Sequence, residues 1–120
     1  MNYLLSEIAR IVGGEHRGCD LRVKEVATDS RGVMSSDDMV FVAINGKNHD
    51  GHNYIPQMVV RGVRAFITER PVDVAEGAGV VVVDSAIVAL QRLAAHHRRN
   101  FKGRVVAITG SNAQVVAALE

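Results

Sequence analysis

Short apolar runs, each about as long as one β-strand, are the feature that most constrains the fold of this chain. Residues 39–44 are MVFVAI, and similar runs follow at 64–68 (RAFIT), 80–83 (VVVV) and 105–108 (VVAI). Unbroken apolar runs are typical of strands that are covered on both faces, as in parallel sheets. A looser alternation in LRVKEVATDS, from Leu21 onward, predicts a further strand.

Segments with helical periodicity lie between these runs. Apolar residues recur at helical spacing from Leu4 to Val12, and Gly13-Gly14 predicts the C-cap of that helix. A short helix is expected between an Asn53 cap and Gly62, because Pro56 would fall in its first turn.

A longer helix, capped by Asp84 or Ser85, is expected to continue to about Asn100. Its predicted apolar side consists of Ile87, Leu90, Leu93, Ala94 and His97. Because strands and helices alternate, the sequence predicts the α/β class, with a small mixed, mainly parallel sheet flanked by helices.

The charge balance favours neither a nucleic-acid nor a membrane partner. The chain has 120 residues, enough for one domain, with 14 basic and 13 acidic side chains and a net charge of +1. The basic cluster at 96–99 (HHRR), with Lys102 and Arg104, falls at a helix C-terminus, where cations complement the helix dipole. A solvated helix end is therefore the expected role of this cluster.

Cysteine usage and hydropathy favour a cytoplasmic protein. Cys19 is the only cysteine, so an intramolecular disulfide is excluded, and we expect a small, partly buried residue rather than a reactive thiol. No apolar run approaches the ~20 residues that a membrane span needs. Glu7 interrupts the apolar N-terminal stretch, which argues against a signal peptide.

Two polar loops after predicted strands are the candidate ligand sites, since open α/β sheets bind ligands at the carboxyl ends of their strands. In TDSRG, residues 28–32, Arg31 offers a fork of donors suited to phosphate or carboxylate, although a capped turn with a surface ion pair is the simpler interpretation. In NGKNHDGHN, residues 45–53, glycine backbone, amides and Lys47 suit an anionic polar ligand. His49, Asp50 and His52 could contribute to a metal site, but a fourth ligand at a recognisable spacing is missing, so no metal is predicted.

The segment VVAITGSNAQVV, residues 105–116, starts as a phosphate-binding loop and departs from that pattern after Asn112. Ala113 stands where a phosphate loop has glycine, Gln114 where it has the lysine that contacts the phosphates, and Val115 where it has the hydroxyl that binds Mg²⁺. We expect this loop to be nonfunctional and the chain to be an excised domain, with the loop cut through, rather than an evolved pseudoenzyme.

The order of these motifs resembles the N-terminal part of the Mur ligases, the ATP-dependent enzymes that build the peptide stem of peptidoglycan precursors. The resemblance extends from about residue 4 to residue 112, and its most specific parts are the DSR, DGHNYI and TGSN motifs in that order. It implies three domains in the parent enzyme. Residues 1–103 would be the domain that binds the UDP-muramoyl substrate, and residues 104–120 the first strand and truncated phosphate loop of the central ATPase domain.

The resemblance also implies roles for particular residues. The positions implied to bind the UDP moiety are Ser30, Arg31, Asn45, Gly46, Lys47, Asp50, Gly51 and His52, with Asp29 holding the first turn and Asp50 to His52 shaping the second loop. The remnant of the ATP loop is Thr109, Gly110, Ser111 and Asn112. No catalytic residue, metal or cofactor is expected in this chain, because ATP and Mg²⁺ belong to the parent enzyme. The expected partners are the central and C-terminal domains of that enzyme and a UDP-N-acetylmuramoyl-peptide.

The resemblance implies, as the parent activity, addition of D-alanyl-D-alanine to the UDP-N-acetylmuramoyl-tripeptide, and alternatives to it stay open. LSEIARIVGG is most similar to the family members that add D-alanyl-D-alanine to the UDP-N-acetylmuramoyl-tripeptide, whereas DGHNYIPQ is also similar to those that add the third stem residue, a diamino acid or lysine. A self-contained nucleotide-sugar-binding module and a purely structural protein are the remaining hypotheses.

Overall fold

The computed structural model describes residues 2–28, 38–45, 50–73 and 76–100. Its strands are β1 (Tyr3–Leu4), β2 (Glu15–Gly18), β3 (Arg22–Val23), β4 (Glu25–Ala27), β5 (Met39–Val42), β6 (Ala65–Thr68) and β7 (Gly79–Val82). Its helices are α1 (Leu5–Val12), a 3₁₀ turn (Gly51–Tyr54), α2 (Ile55–Val60) and α3 (Ala86–Asn100).

Five of the strands form one sheet in the order β2-β7-β6-β5-β4. The four strands from β4 to β7 are parallel, with Val40 opposite Ala65 and Phe66 opposite Val80, whereas β2 runs antiparallel along the edge of β7. β1 and β3 pair separately as a two-stranded antiparallel ribbon. The predicted α/β class with a mixed, mainly parallel sheet is therefore confirmed.

Both faces of the sheet are covered, which explains the unbroken apolar runs of its central strands. Side chains on alternate positions, such as Val40 and Ile67, pack under α1 and α3, while Phe41 and Phe66 point to the opposite face and pack with α2. Phe41 and Phe66 make an edge-to-face contact with ring centroids 6.4 Å apart. The result is a three-layer sandwich that leaves the strand ends free to carry loops.

The ends of α1 are held by side chains and by glycine. Asp20 accepts hydrogen bonds from the backbone N–H (2.9 Å) and the hydroxyl (2.7 Å) of Ser6, and these bonds, the backbone one first, lower the pKa of the Asp20 carboxyl. At the other end Gly13 has φ +72°, and the Gly14 N–H donates to the Ala9 carbonyl at 2.9 Å. This is the C-cap that Gly13-Gly14 predicted.

The cap of the short helix and the apolar side of α3 differ from the prediction. Asn53 does not cap the short helix: Asp50 caps the 3₁₀ turn that precedes α2, and its carboxylate accepts the His52 N–H at 3.0 Å. Ile87 does not lie on the apolar side of α3, because it is 40% exposed while Ala86 packs against the sheet. The small alanine side chain, rather than the bulky isoleucine, faces the close approach between α3 and the sheet.

In the N-terminal region one strand was missed and one prediction, for Cys19, was wrong. β2 was not predicted, because Glu15–Gly18 is polar and mostly exposed, and only its pairing with β7 makes it a strand. Cys19 is exposed rather than partly buried, since it follows this edge strand directly. An edge strand need not be apolar, so alternation alone could not reveal it.

Candidate functional site

Three of the parallel strands end at the same edge of the sheet, and their following residues form the candidate site. The chain leaves β5 through Ala43 and Ile44 to Asn45, leaves β6 at Glu69 and Arg70, and leaves β7 at Asp84 and Ser85. The carboxyl ends of parallel strands lie at one edge of a sheet, where α/β proteins bind ligands. The polar loop predicted at residues 45–53 therefore begins at the carboxyl edge of the sheet, as expected for a ligand site.

The loop between Asn45 and Asp50 is closed at its base. These two residues form an antiparallel bridge, and the Gly51 N–H donates to the Ile44 carbonyl at 2.9 Å. A Cβ placed on Gly51 would lie 2.7 Å from the Ile44 nitrogen and 3.0 Å from the Ala43 Cα, both main-chain atoms. Glycine is therefore required at position 51 by the close approach of two backbone segments.

Asp50 and His52 form the central pair of the site. One carboxylate oxygen of Asp50, Oδ1, accepts both the backbone N–H of His52 (3.0 Å) and its ring Nδ1–H (2.6 Å). The ring Nε2 lies 2.9 Å from the Glu69 nitrogen, and since a backbone N–H can only donate, Nε2 accepts. His52 is therefore neutral in this arrangement, with its proton on Nδ1.

Burial limits what His52 can do. Its side chain is 2% exposed and both ring nitrogens are bonded within the protein, so the ring ties the loop base to the end of β6. The loop-shaping role that the resemblance implies for Asp50, Gly51 and His52 stays a prediction. Among the described residues no group of three or more His, Cys, Asp or Glu side chains is arranged to hold a metal ion.

Asp50 is held ionised by its donors. The bonds from the His52 backbone and side chain, and then from Arg70, lower the pKa of Asp50 to about 2. The Arg70 guanidinium donates to Oδ2 at 3.0 Å, but half of that side chain is exposed, so solvent screens the ion pair. Both carboxylate oxygens of Asp50 therefore accept hydrogen bonds, Oδ1 from His52 in the 3₁₀ turn and Oδ2 from Arg70 after β6.

Glu69 and Arg70 were missed as functional candidates in the sequence. Glu69 Oε2 accepts the Ala86 N–H at 3.0 Å and Oε1 accepts the Asn45 N–H at 3.3 Å, so the carboxylate joins the loop base to the first turn of α3. The Ser85 hydroxyl accepts the Val88 N–H at 3.3 Å, which makes Ser85 rather than Asp84 the side-chain cap of α3. The sequence feature that could have indicated Glu69 and Arg70 is their position, because they are a charged pair directly after the buried strand β6.

A second polar cluster lies near the end of α3, away from this edge. The Tyr3 hydroxyl is 3.2 Å from His97 Nδ1, and both the His96 and His97 rings contact the Tyr3 ring edgewise. Burial lowers the pKa of His97 and raises that of Tyr3, the latter with help from the negative charge of Glu7. The two histidines are thus packed against β1 rather than fully solvated, which corrects the expectation for this part of the helix end.

Several predicted residues lie outside the described ones. They are Asp29, Ser30, Arg31, Gly46, Lys47, His49 and the whole of residues 101–120, including Thr109, Gly110, Ser111, Asn112 and the strand predicted at 105–108. Their roles therefore stay predictions from the sequence. Within the described ranges, no helix has the length and apolarity needed to cross a membrane.

Comparison with known proteins extends these observations. The family model "Mur ligase family, catalytic domain" matches residues 22–101. A UDP-N-acetylmuramoyl-tripeptide--D-alanyl-D-alanine ligase of Synechocystis is 37% identical over 93 residues, covering 77% of this chain and 20% of that protein. A UDP-N-acetylmuramoyl-L-alanyl-D-glutamate--2,6-diaminopimelate ligase of Geobacter metallireducens is 36% identical over 112 residues, covering 90% of this chain and 22% of that protein.

Solved structures show the same relationship in three dimensions. The UDP-N-acetylmuramoylalanyl-D-glutamyl-2,6-diaminopimelate--D-alanyl-D-alanyl ligase of Acinetobacter baumannii superposes with a TM-score of 0.73 at 28% identity, over 83% of this chain and 22% of that one. The MurF ligase of Thermotoga maritima in complex with ADP superposes with a TM-score of 0.58 at 34% identity, over 76% of this chain and 20% of that one. The chain thus spans about a fifth of the length of these relatives.

The sequence match and the fold point to the same assignment. The matched residues 22–101 include the parallel strands β4 to β7, the base of the second loop and all of α3, and they make up more than half of the chain. On these grounds the chain belongs to the Mur ligase family.

Proposed function

We propose that this chain is the N-terminal, substrate-binding part of an ATP-dependent ligase that adds D-alanyl-D-alanine to UDP-N-acetylmuramoyl-tripeptide in peptidoglycan precursor synthesis. Residues 1–103 would form the domain that anchors the UDP moiety, and residues 104–120 the start of the central ATPase domain. The observation that carries the proposal is the 37% identity to a ligase of that name over 77% of this chain. The remaining domains of the parent ligase and the UDP-N-acetylmuramoyl-peptide are the proposed partners, in the cytoplasm.

The described geometry supports an anchoring role. The loop that contains Gly46 and Lys47 starts and ends at the carboxyl edge of the sheet, and its base is closed by the bridge between Asn45 and Asp50. The carboxyl edge of a parallel sheet is where open α/β proteins bind ligands. Ser30 and Arg31 follow β4, whose carboxyl end lies beside that of β5 in the parallel sheet.

ATP and Mg²⁺ do not fit the residues of this chain that correspond to the ATP loop. Gln114 carries no positive charge for the phosphates, and Val115 has no hydroxyl for the metal ion. No step of the ligation is therefore assigned to these 120 residues. Their contribution is to hold a non-reacting part of the substrate, so that its binding energy helps to orient the distant carboxylate that reacts.

The test is calorimetric titration of the chain with UDP-N-acetylmuramoyl-tripeptide, with UDP and with ATP. We expect heat from the first two, little from ATP, and loss of the signal in Arg31→Ala. Arg64→Ala is the matched control, because Arg64 is an exposed arginine directly before β6, at the opposite edge of the sheet. Tight ATP binding, or silence from both uridine ligands at millimolar concentration, would refute the proposal.

The ligase that adds the third stem residue is the second candidate, and the Geobacter relative, 36% identical over 112 residues, supports it. The two candidates differ in the amine that they add and not in the UDP that they hold, so titration of this chain cannot separate them. Full-length protein assayed with D-alanyl-D-alanine and with diaminopimelate or lysine does separate them. Amide formation with a single diamino acid only would replace the first assignment by the second.

A stand-alone nucleotide-sugar-binding module makes a different prediction. It requires Ala113, Gln114 and Val115 to be the natural residues of a protein without an ATPase domain. Sequencing the source gene past codon 120 decides the matter: a GKT continuation followed by some hundreds of codons excludes the module, on the usual size of domains.

A further inference from the structure

Arg70 is a cation at the middle of the carboxyl edge of the sheet. It lies two residues after the end of β6, the central strand of the five, so the ends of β5 and β7 lie on either side of it. Open α/β sheets bind ligands at this edge. The sequence pointed to Arg31 and Lys47 as the cations for an anionic ligand and not to Arg70.

Both the side chain and the main chain of Arg70 are held in place. Its Nη2 group donates to Asp50 Oδ2 at 3.0 Å, and Asp50 is itself fixed, because its Oδ1 accepts the backbone and ring N–H groups of His52. The Arg70 carbonyl accepts the hydroxyl of the fully buried Thr68 at 2.7 Å. A side chain whose orientation is already restrained loses less conformational entropy on binding a ligand than a free one does.

The contact with Asp50 uses only part of the guanidinium. It is made by Nη2, whereas an arginine carries five N–H donors in one plane. The Arg70 side chain is 51% exposed, so solvent screens the ion pair and the pair adds little to stability. A planar fork of donors matches the oxygens of a phosphate group, which makes arginine well suited to that ligand.

The acidic side chains beside Arg70 have donors of their own. Asp50 accepts two N–H groups from His52, and these bonds lower the pKa of its carboxyl more than the bond from Arg70 does. Both carboxylate oxygens of Glu69 accept backbone N–H groups, at 3.3 and 3.0 Å. The guanidinium can therefore donate to a second anion without leaving either carboxylate unpaired.

We propose that Arg70 contacts the ligand directly, donating to the diphosphate of the UDP moiety while Asp50 orients its guanidinium. The proposal rests on the proposed function for its ligand, and it adds a contact residue at the end of β6 to that function. Asp50 is then a positioning residue that acts through Arg70.

The first experiment titrates the wild type, Arg70→Gln and Arg70→Lys with UDP and with uridine. Glutamine removes the charge and most of the donors, so we expect UDP binding weaker by about tenfold, as for the loss of a charge-assisted hydrogen bond. Lysine keeps the charge without the planar fork, and an intermediate loss is expected. Uridine has no phosphate, so its affinity should stay close to that of the wild type. Arg64→Gln, the same change in an exposed arginine at the opposite edge, should leave UDP binding unchanged.

Amide hydrogen exchange separates a ligand contact from a structural role. In Arg70→Gln the N–H groups of Gly51, His52 and Glu69 should keep their wild-type rates, because none of them donates to Arg70. Faster exchange at these amides, or equal losses of affinity for UDP and uridine, would make Arg70 a structural residue and overturn the proposal. Equal UDP affinity of Arg70→Gln and the wild type overturns it as well and leaves the proposed function standing.

Inorganic pyrophosphate distinguishes failure of this inference from failure of the proposed function. If the wild type binds no UDP, the proposed function fails, and pyrophosphate binding that is lost in Arg70→Gln still supports Arg70 as a diphosphate contact. Pyrophosphate binding that survives in Arg70→Gln, or no binding of either ligand at millimolar concentration, overturns the proposal.

Discussion

Replacing Gly51 by alanine tests the tightest backbone contact of the candidate site. The new Cβ would lie 2.7 Å from the Ile44 nitrogen, 3.0 Å from the Ala43 Cα and 3.1 Å from the Ala43 carbonyl carbon. None of these is the end of a flexible side chain, so the two backbone segments must separate. Separation also stretches the 2.9 Å hydrogen bond from the Gly51 N–H to the Ile44 carbonyl.

The expected cost follows from these contacts. Overpacking of this kind costs about 1–3 kcal/mol, the weakened hydrogen bond about 1 kcal/mol, and the lower entropy of the unfolded alanine chain returns about 0.4–1 kcal/mol. The net loss is about 2 kcal/mol of unfolding free energy. At about 4 °C per kcal/mol for a chain of this size, the melting temperature should fall by about 8 °C.

Urea unfolding followed by far-UV circular dichroism measures this loss, with Gly77→Ala as the matched control. Gly77 has φ +85°, and no described atom would lie within 4 Å of a Cβ there, so alanine meets backbone strain alone and costs about 1 kcal/mol. Under the proposed function Gly51→Ala should also weaken UDP binding, whereas Gly77→Ala should not. A Gly51→Ala variant no less stable than Gly77→Ala would refute the close approach as the reason for glycine at position 51.

Three further predictions concern the edge of the sheet and the core. Because the pKa of Asp50 is lowered to about 2 from its ordinary 3.8, its carboxylate stabilises the fold above that ordinary value and this contribution is lost as the pH falls towards about 2. Asp50→Asn should therefore show a smaller change of unfolding free energy between about pH 4 and about pH 2, and slopes equal to the wild type would contradict the ionised pair. Leu93→Ala should cost about 2–5 kcal/mol in denaturant titration, because Leu93 is fully buried between α3 and the sheet, whereas the 40% exposed Val88 should tolerate alanine within about 1 kcal/mol; similar losses would argue against the observed orientation of the helix. Ser85→Ala should cost about 1 kcal/mol of unfolding free energy and Asp84→Ala distinctly less, since only the Ser85 hydroxyl accepts the Val88 N–H, and the reverse order would assign the cap to Asp84.

The candidate site was predictable where it depends on the local chain. Asp50, Gly51 and His52 follow one another, and a glycine between polar residues of this kind is typical of a shaped loop. Glu69 is 24 residues from Asn45 and 17 from both His52 and Ala86. No spacing rule connects such positions, because the parallel pairing of β6 with β5 on one side and with β7 on the other brings them together.

The cap of the short helix shows the same limit at closer range. Asn53, two residues before Ile55, was a reasonable cap by residue type. Asp50 caps the 3₁₀ turn instead, because the chain enters that turn directly from the bridge between Asn45 and Asp50. Local preference selects among residues that can cap, and the path of the preceding loop decides which one does.

The amino-acid sequence by itself determined the α/β class, the buried strands β5, β6 and β7 and the helix stop at Gly13, because apolar periodicity and backbone freedom are properties of neighbouring residues. It also carried the family resemblance, which depends on the order of motifs. Only the tertiary structure decided that Glu15–Gly18 is an edge strand, that His52 is buried and neutral, and that Glu69 joins the loop to α3. Each of these follows from hydrogen bonds between segments far apart in the chain, whose partners are chosen by strand register and helix packing rather than by the residues next to them.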